Sequence, residues 1–220
     1  TVIFRPGDVK FVDLNGDGYI TPGRGTYGDP GDRKVIGNST PRYEYGFRLG
    51  LDYKGFDASV FLQGVGKRKI WGAGQLAIPG YYAAEGAMPQ AIAGNYWRPD
   101  RTDAFYPRPW DNNGDGGSGN TNYSLQIQSR YLLNMAYARI KNITFGYSVP
   151  PHLLKKAYLT KARFYVSLEN FFTFDNLRGL PIDPEAVSGY SMFSSSYNLG
   201  RTGTGTPMFK SASFGVQLSF

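Results

Sequence analysis

The chain has 220 residues, a net charge of +7, no Cys and a single His. Without Cys there are no disulfides, thiolate metal sites or cysteine nucleophiles, and one His argues against a His-based triad or a multi-His metal centre. No apolar run approaches the roughly 18 residues that a transmembrane helix needs. The basic run at residues 67–69 has no interleaved aromatic residues, so no nucleic-acid partner is expected.

Residues 1–41 form a turn-rich segment in which Gly, Pro, Asp and Asn recur and no long periodicity appears. Within it, DLNGDGYIT at residues 13–21 matches the first half of an EF-hand-like calcium loop, with alternating oxygen-bearing side chains and a Gly at the tight turn. Calcium is a hard cation that takes several oxygen ligands, so this spacing predicts a calcium site. The same composition is also typical of a turn that binds no metal.

The second half of this loop departs from the calcium pattern. Arg24 stands at the position of the late acidic ligand, and a guanidinium cannot ligate a cation. Residues 22–31 therefore look like an insertion, with Asp32 as the expected closing carboxylate and Asp29 as the reserve. The predicted ligands are the side chains of Asp13, Asn15, Asp17 and Asp32 and the carbonyl of Tyr19.

Residues 42–63 show the clearest periodicity in the chain. Apolar side chains alternate with polar residues and Gly over residues 43–53, Lys54-Gly55 interrupts the pattern, and the alternation resumes at Phe56, which predicts a β-hairpin with one apolar face. Each arm is about ten residues long, the span of a tilted strand across a bilayer. Tyr residues stand at both ends of the first arm, as they do at membrane interfaces. The hairpin alone would also suit a soluble β-sandwich.

Further strands are predicted at residues 131–149, 162–174 and 212–220, where alternation returns. They are separated by connections of very unequal length. Residues 72–130 and 175–209 are long polar stretches, whereas the hairpin turn and the link between the strands at 131–149 and 162–174 are short. Because long and short connections alternate, all the long loops emerge at one end of the sheet, which is typical of outer-membrane barrels and has no counterpart in a sandwich.

The strand predicted at residues 131–149 changes phase near Lys141-Asn142, where its apolar residues move from even to odd positions. Such a slip predicts a β-bulge, or a strand whose upper part has left the membrane. Pro150-Pro151 ends the strand because Pro cannot donate to a sheet ladder. The connector at residues 152–161 is expected to contain one helical turn.

The order of motifs resembles a known family. GDVKFVDLNGDGYI, DRKVIGNSTPRYEYGFRLGLDYKGFDASVFLQGVG, NYWRPD, AFYPR, YARIKNITFGYSVP and the final FGVQLSF resemble, in the same order, the C-terminal part of SusC/RagA-type TonB-dependent outer-membrane transporters. The resemblance extends over nearly the whole chain. It departs from the family pattern at the insertion after Thr21.

The resemblance implies an all-β fold, an antiparallel transmembrane β-barrel of which this chain holds only the C-terminal strands, about five. Residues 1–41 would be an extracellular loop with the calcium motif, and residues 42–220 the C-terminal section of the barrel. Five strands cannot close a barrel, since open edges in lipid leave backbone groups unpaired. The remainder of the same barrel and its plug are therefore expected partners, within the outer membrane of a Gram-negative bacterium.

The implied function is import of oligosaccharides or peptides, with a SusD-like surface lipoprotein as lid and the TonB complex contacting the missing N-terminal part. Catalysis is not expected, because no paired carboxylates or Ser/His arrangement appear. Aromatic faces stack on sugar rings and peptide side chains, so the candidate substrate contacts are Tyr81, Tyr82, Trp97, Tyr106 and Trp110. The last three could instead pack the loop. The competing hypotheses are a soluble calcium-binding β-sandwich that binds carbohydrate, and a barrel enzyme.

Overall fold

The computed structural model describes residues 5–72, 88–109, 126–155, 158–185 and 208–220. Its elements are β1 (Tyr43–Tyr53), β2 (Phe56–Gly66), β3 (Lys69–Trp71), β4 (Leu132–Asn134), β5 (Tyr137–Ser148), α1 (Pro151–Leu154), β6 (Lys161–Asp175) and β7 (Ser211–Ser219). Five strands form one antiparallel sheet in the order β1-β2-β5-β6-β7, and β3 pairs with β4 separately. In the described ranges no helix is long and apolar enough to cross a membrane.

The predicted hairpin is confirmed as the pair β1–β2, in register from Tyr43 opposite Gly66 to Tyr53 opposite Phe56. Its two turn residues both have positive φ, 47° at Lys54 and 88° at Gly55. Two positive φ values in succession are the signature of a type I′ turn, whose twist matches that of the flanking strands. The Lys54-Gly55 dipeptide thus sets the register of the first two strands.

One face of the five-stranded sheet is apolar and uncovered. Its exposed side chains are Tyr43, Tyr45, Phe47, Leu49, Leu51, Tyr53, Phe56, Phe145, Phe164, Val166, Phe172, Phe174, Phe214, Val216 and Leu218. In water this contiguous surface would far exceed the few hundred square ångströms that soluble monomers expose. In a sandwich the same face would pack against a second sheet, and no such sheet lies among the described residues. The apolar face therefore favours a lipid-facing wall over a soluble sandwich.

The predicted β-bulge is confirmed. The pairing of β5 with both neighbours shifts between Ile140 and Asn142, so Lys141 has no partner in either ladder. On β6 the same irregularity includes Asn170, whose φ of 56° lies in the left-handed region. The extra residue moves Ile140 and Ile143 onto the same face of the sheet. This bulge explains why the apolar residues of the strand change from even to odd positions in the sequence.

The strand predicted over residues 131–149 is in fact split. Leu132–Asn134 leaves the main sheet and pairs with Lys69–Trp71, a strand that the sequence pattern did not predict. A bend separates the two halves, in which the Asn134 carboxamide accepts the Ala136 N–H at 3.2 Å and Met135 donates its N–H to the Arg68 carbonyl at 2.9 Å. The single predicted strand was wrong because these contacts to a distant segment decide where it breaks.

The long connections meet at one end of the sheet, here called the loop end, and the short ones at the other, the turn end. At the turn end, α1 is the single helical turn expected in the connector. At the loop end, residues from three separate segments bury their side chains together in a small core, the loop-end core. Its members are Ile92, Tyr106, Tyr131, Leu133, Met135, Leu177, Leu180 and Ile182.

The second face of the sheet is polar, and near the turn end it carries an ion pair across three strands. The Arg163 guanidinium on β6 donates two hydrogen bonds to the Asp57 carboxylate on β2, the one from Nε at 2.8 Å. Between them, on β5, lies Gly146, where an added Cβ would overlap both partners. The missing side chain is what allows the two charged groups to meet across the middle strand.

A similar close approach yields a testable prediction at Gly215 on β7. An added Cβ there would overlap the ring of Tyr165, its partner on β6. We expect Gly215→Ala to displace this ring and to lower the free energy of unfolding of the full-length protein by roughly 1–3 kcal/mol. Gly50→Ala is the matched control, because its nearest contact would be the Ala58 carbonyl at 4.0 Å. Equal unfolding midpoints in urea for both variants would contradict the prediction.

Candidate functional site

The segment that contains the predicted calcium loop is attached to the loop end by backbone contacts. Gly7 accepts the Arg108 N–H at 2.9 Å, and Asn38 accepts the Lys69 N–H at 2.9 Å. The side chain of Arg68 adds a hydrogen bond to the Ser39 carbonyl at 3.0 Å. Residues 13–32 lie between these attachments and form a separate loop, here called the acidic loop.

The first half of the acidic loop is organised by side chains that accept backbone N–H groups. Asp13 accepts from Gly16 at 2.6 Å and from Gly18 at 2.9 Å. Asp17 accepts from Tyr19 at 2.8 Å, and Asn15 accepts from Asp17 at 3.0 Å. Each bond joins residues two to five positions apart, which is how Asp and Asn stabilise tight turns.

Asp32 closes the acidic loop. Its carboxylate accepts the Leu14 N–H at 2.6 Å and the Thr21 N–H at 2.7 Å, so it joins the start of the loop to its middle. The hydrogen bonds from Thr21 and Leu14 lower the pKa of Asp32 below its usual range. The reserve residue Asp29 has a different role, since it accepts the Arg24 N–H at 3.3 Å.

The carboxylates of the acidic loop hold its turn closed. In the ranges that the structure describes, no group of three or more His, Cys, Asp and Glu side chains could hold a metal ion. Oxygens of Asp13 and Asp32 are engaged with backbone N–H groups instead. Because Asp32 nonetheless lies against the first half of the loop, the calcium site stays a prediction.

The lowered pKa of Asp32 predicts a dependence on pH. Its hydrogen bonds contribute stability that is fully present above the usual carboxyl pKa and is lost as pH falls through the lower folded-state value. Hydrogen-exchange protection of the Leu14 and Thr21 amides should be lower in Asp32→Asn than in wild type at pH 6, and the difference should shrink at pH 3. Asp29→Asn should leave both amides unchanged. A difference that is equal at both pH values would refute the assignment.

Tyr106, a predicted substrate contact, lies in the loop-end core with 4% of its surface exposed. Its ring stacks on Tyr131 with centroids 5.8 Å apart and meets Phe105 edge-on at 5.0 Å. Burial raises the pKa of both tyrosine hydroxyls. The backbone of Tyr106 is held as well, between the Asn95 carbonyl and the Trp97 N–H. This position favours the packing role over contact with a substrate.

Trp97 is half-buried and lies against the backbone of Gly7, where an added Cβ would overlap the indole ring. Gly7 has a φ of 94°, which other residues rarely adopt, so the close approach and the backbone conformation both require glycine. The ring thus fastens the N-terminal segment to the loop end. The other candidate contacts, Tyr81, Tyr82 and Trp110, lie outside the described residues.

A charged cluster on the polar face was not among the predicted site residues. Arg139 on β5 is 5% exposed, and its guanidinium donates to Asp183 at 2.8 Å and lies 3.1 Å from Glu185. Lys141 reaches the same Glu185 oxygen at 2.9 Å, and Arg139 Nε donates to Thr173 at 2.8 Å. Burial would raise the pKa of Asp183, but the bonds from Arg139 and from backbone N–H groups outweigh it and lower the pKa.

This cluster fixes the course of the connection after β6. Residues 181–185 are held against the polar face near the loop end, and the Met208 N–H also reaches Asp183 at 3.4 Å. The signal in the sequence was the pair of cations at alternate positions of an apolar strand, with two acids flanking Pro184 downstream. Nothing local pairs them, because the partners are 44 residues apart.

Two curated relatives from Formosa agariphila are similar to this chain in sequence. TonB-dependent receptor P3 is 32% identical over 216 residues, which cover 98% of this chain and 19% of the relative. TonB-dependent receptor P39 is 27% identical over 179 residues, covering 80% of this chain and 16% of the relative. The chain thus spans about a fifth of the length of these relatives. No family model matches the chain.

Solved structures show the same fold. The RagAB peptide importer in its open-open state matches with a TM-score of 0.55 at 23% identity, over 85% of this chain and 18% of that one. The RagAB peptide transporter matches with a TM-score of 0.60 at 22% identity, over 84% of this chain and 18% of that one. The matched part is in both cases a small section of a much longer chain.

Proposed function

Because this chain belongs to the TonB-dependent receptors, which lie in the outer membrane of Gram-negative bacteria, we propose that it forms the C-terminal wall section of an importer of oligosaccharides or peptides. The observation that carries the proposal is the five-stranded sheet with one uncovered apolar face and one polar face. In a barrel wall the apolar face meets lipid and the polar face lines a wet interior. The loop end is then extracellular and the turn end periplasmic.

The remainder of the same barrel and its plug complete this wall. The outer edge of β1 carries backbone groups without a partner strand in the described sheet. Each unpaired group in lipid would cost several kcal/mol, so an adjoining strand of the same receptor must cover that edge. The TonB complex would supply the energy for uptake, and it would act on the receptor from the side of the plug.

A SusD-like lipoprotein is the proposed extracellular partner. RagAB is named as a peptide importer, which supports peptides as one cargo class, and the curated relatives are named only as receptors. Trp97, Tyr81, Tyr82 and Trp110 are the proposed aromatic contacts to cargo or partner. Tyr106 is left out of this set because its ring is buried. The proposed activity is transport without covalent catalysis.

Uptake by the full-length receptor tests the proposal. Growth is measured with either defined oligosaccharides or defined peptides as the sole carbon source. A strain without the receptor gene should lose growth on one of these two substrate classes, and the intact gene should restore that growth. A receptor that lacks its TonB-contacting segment should reach the outer membrane and fail to restore growth. Growth on all these substrates without the receptor, or uptake that does not require TonB, would overturn the proposal.

We further propose that calcium binds the acidic loop through Asp13, Asn15, Asp17, Asp32 and the Tyr19 carbonyl. The ion would supply a structural cross-link that stiffens an extracellular loop. Titration calorimetry of the full-length receptor should give a dissociation constant on the order of 10⁻⁴–10⁻³ M, the range of extracellular calcium modules. Asp17→Asn should weaken binding by roughly tenfold or more. Asp29→Asn is the control and should bind as wild type, whereas no heat of binding to wild type would end the calcium assignment.

A further inference from the structure

Two arginines at the loop end share one aromatic ring. The Arg178 guanidinium carbon lies 3.8 Å from the centroid of the Phe105 ring, and that of Arg130 lies 5.2 Å from the same centroid. The two come from different connections, since Arg130 precedes β4 and Arg178 follows β6. Both side chains are exposed to solvent on the extracellular side of the proposed barrel.

Both guanidiniums are held in place by the fold. Arg130 Nε donates to the Phe105 carbonyl at 3.2 Å, and its guanidinium also lies 5.9 Å from the Tyr131 ring centroid. Arg178 is presented by a turn in which it and Gly179 both have positive φ, 57° and 76°. A left-handed conformation is strained for a non-glycine residue, and such strain is concentrated at functional sites. These contacts therefore restrict the positions of both arginine side chains.

The charge of this pair is uncompensated in the described part of the chain. The ion pairs found there engage Arg24, Arg98, Arg139, Lys141 and Arg163, and none engages Arg130 or Arg178. Two like charges that lie against one ring repel each other, and an anion near them offsets that repulsion. By contrast Arg139, the buried arginine of the loop-end region, already has two carboxylate partners.

A crevice lies beside Arg178 and indicates where a ligand of the two arginines would bind. It is lined by Phe105, Tyr106 and buried leucines including Leu177, together with Asn176 and Arg178. A carboxylate at the mouth could accept paired hydrogen bonds from the planar guanidinium, a geometry that Arg offers and Lys does not. The apolar part of the same ligand would lie against the half-buried Phe105.

We propose that Arg130 and Arg178 on Phe105 form an extracellular binding site for a carboxylate group of the cargo. This inference rests on the proposed importer function and narrows its cargo to molecules that carry a carboxylate. Two sources share this chemistry, the C-terminus of a peptide and the uronate groups of an acidic oligosaccharide. Phe105 supports the site by holding both cations, and Arg178 is the residue that contacts the ligand at the crevice.

The test measures binding to the purified full-length receptor with two matched pairs of probes. The first pair is a pentapeptide of neutral side chains ending in Phe, with a free C-terminal carboxylate or with an amide. The second pair is tetragalacturonate and its methyl ester. In at least one pair the carboxylate should bind about tenfold tighter or more than its neutral counterpart, and the pair that shows this identifies the source.

Variants separate this site from general charge effects. Arg178→Gln should abolish the preference for the carboxylate, and Arg178→Lys should retain only part of it, because an ammonium cannot make the paired hydrogen bonds. Arg42→Gln is the control, since it removes one exposed positive charge from the same end of the sheet without touching the crevice. Equal affinity for both members of each pair, or a preference that survives Arg178→Gln, would overturn the inference.

The failure of this inference is distinguishable from failure of the importer function. A receptor that imports neutral cargo with no carboxylate preference contradicts only the site at Arg130 and Arg178. A receptor that binds carboxylate probes through Arg178 but restores no growth contradicts only the importer function.

Discussion

Replacing Leu49 by Arg is expected to destabilise the full-length receptor in a bilayer by roughly 2–4 kcal/mol, the cost of a charge on the lipid face at mid-membrane. Leu49 lies in the middle of β1 and its side chain is 72% exposed on the apolar face. In lipid this exposure means contact with acyl chains, where an ammonium or guanidinium loses its hydration. The free energy of folding into liposomes, measured by urea titration, checks the value.

Gly50→Arg provides the matched control one residue away. Gly50 lies on the polar face, and an added Cβ there has only the Ala58 carbonyl nearby, at 4.0 Å. A long charged side chain can therefore extend into the wet interior of the barrel. Its cost should be well below that of Leu49→Arg. If the two substitutions were equally tolerated, or if Gly50→Arg were the worse, the two faces would be wrongly assigned.

Arg139→Met is expected to have the second large effect, a loss of roughly 3–5 kcal/mol of stability, because it leaves the partly buried Asp183 without its cation and Glu185 with Lys141 alone. Asp183 and Glu185 both depend on this guanidinium, and their side chains are 13% and 17% exposed. Met retains much of the apolar stem, so the loss is mainly electrostatic. Hydrogen exchange over residues 176–185 should rise strongly, since the connection after β6 is held against the sheet by these bonds.

Lys141→Met removes a cation from the same cluster and serves as comparison. Lys141 contacts only Glu185, which keeps Arg139 as a partner. The expected loss is therefore smaller, and residues 181–185 should remain protected from exchange. An Arg139→Met receptor with wild-type stability and unchanged exchange would show that the cluster does not hold this connection in place.

Features that depend on neighbouring residues were predictable from the sequence. Alternation located the long strands, Lys54-Gly55 located the hairpin turn, and the change of phase near Lys141 located the bulge. Each signal arises within about a dozen residues, because side-chain direction in a strand repeats every two positions. The lengths of the connections then placed all long loops at one end of the sheet.

Features that depend on distant contacts were not predictable. The pairing of β3 with β4 joins segments about sixty residues apart, and neither strand alternates long enough to be recognised. The burial of Tyr106 follows from its stacking on Tyr131, which no local pattern encodes. The partners of Arg139 and the meeting of Arg130 with Arg178 on Phe105 arise in the same way, from connections that fold back on one another.

The odd-numbered face of β1 is expected to meet lipid. This chain has no Cys. With any cysteine elsewhere in the full-length receptor replaced, single cysteines can be placed at each position from Tyr43 to Tyr53 and labelled with a fluorophore in liposomes. Quenching by lipids brominated in their acyl chains should alternate, strong at odd positions with a maximum near Leu49 and weak at even positions. Quenching that does not alternate, or that is stronger at even positions, would contradict a barrel wall with this face toward the membrane.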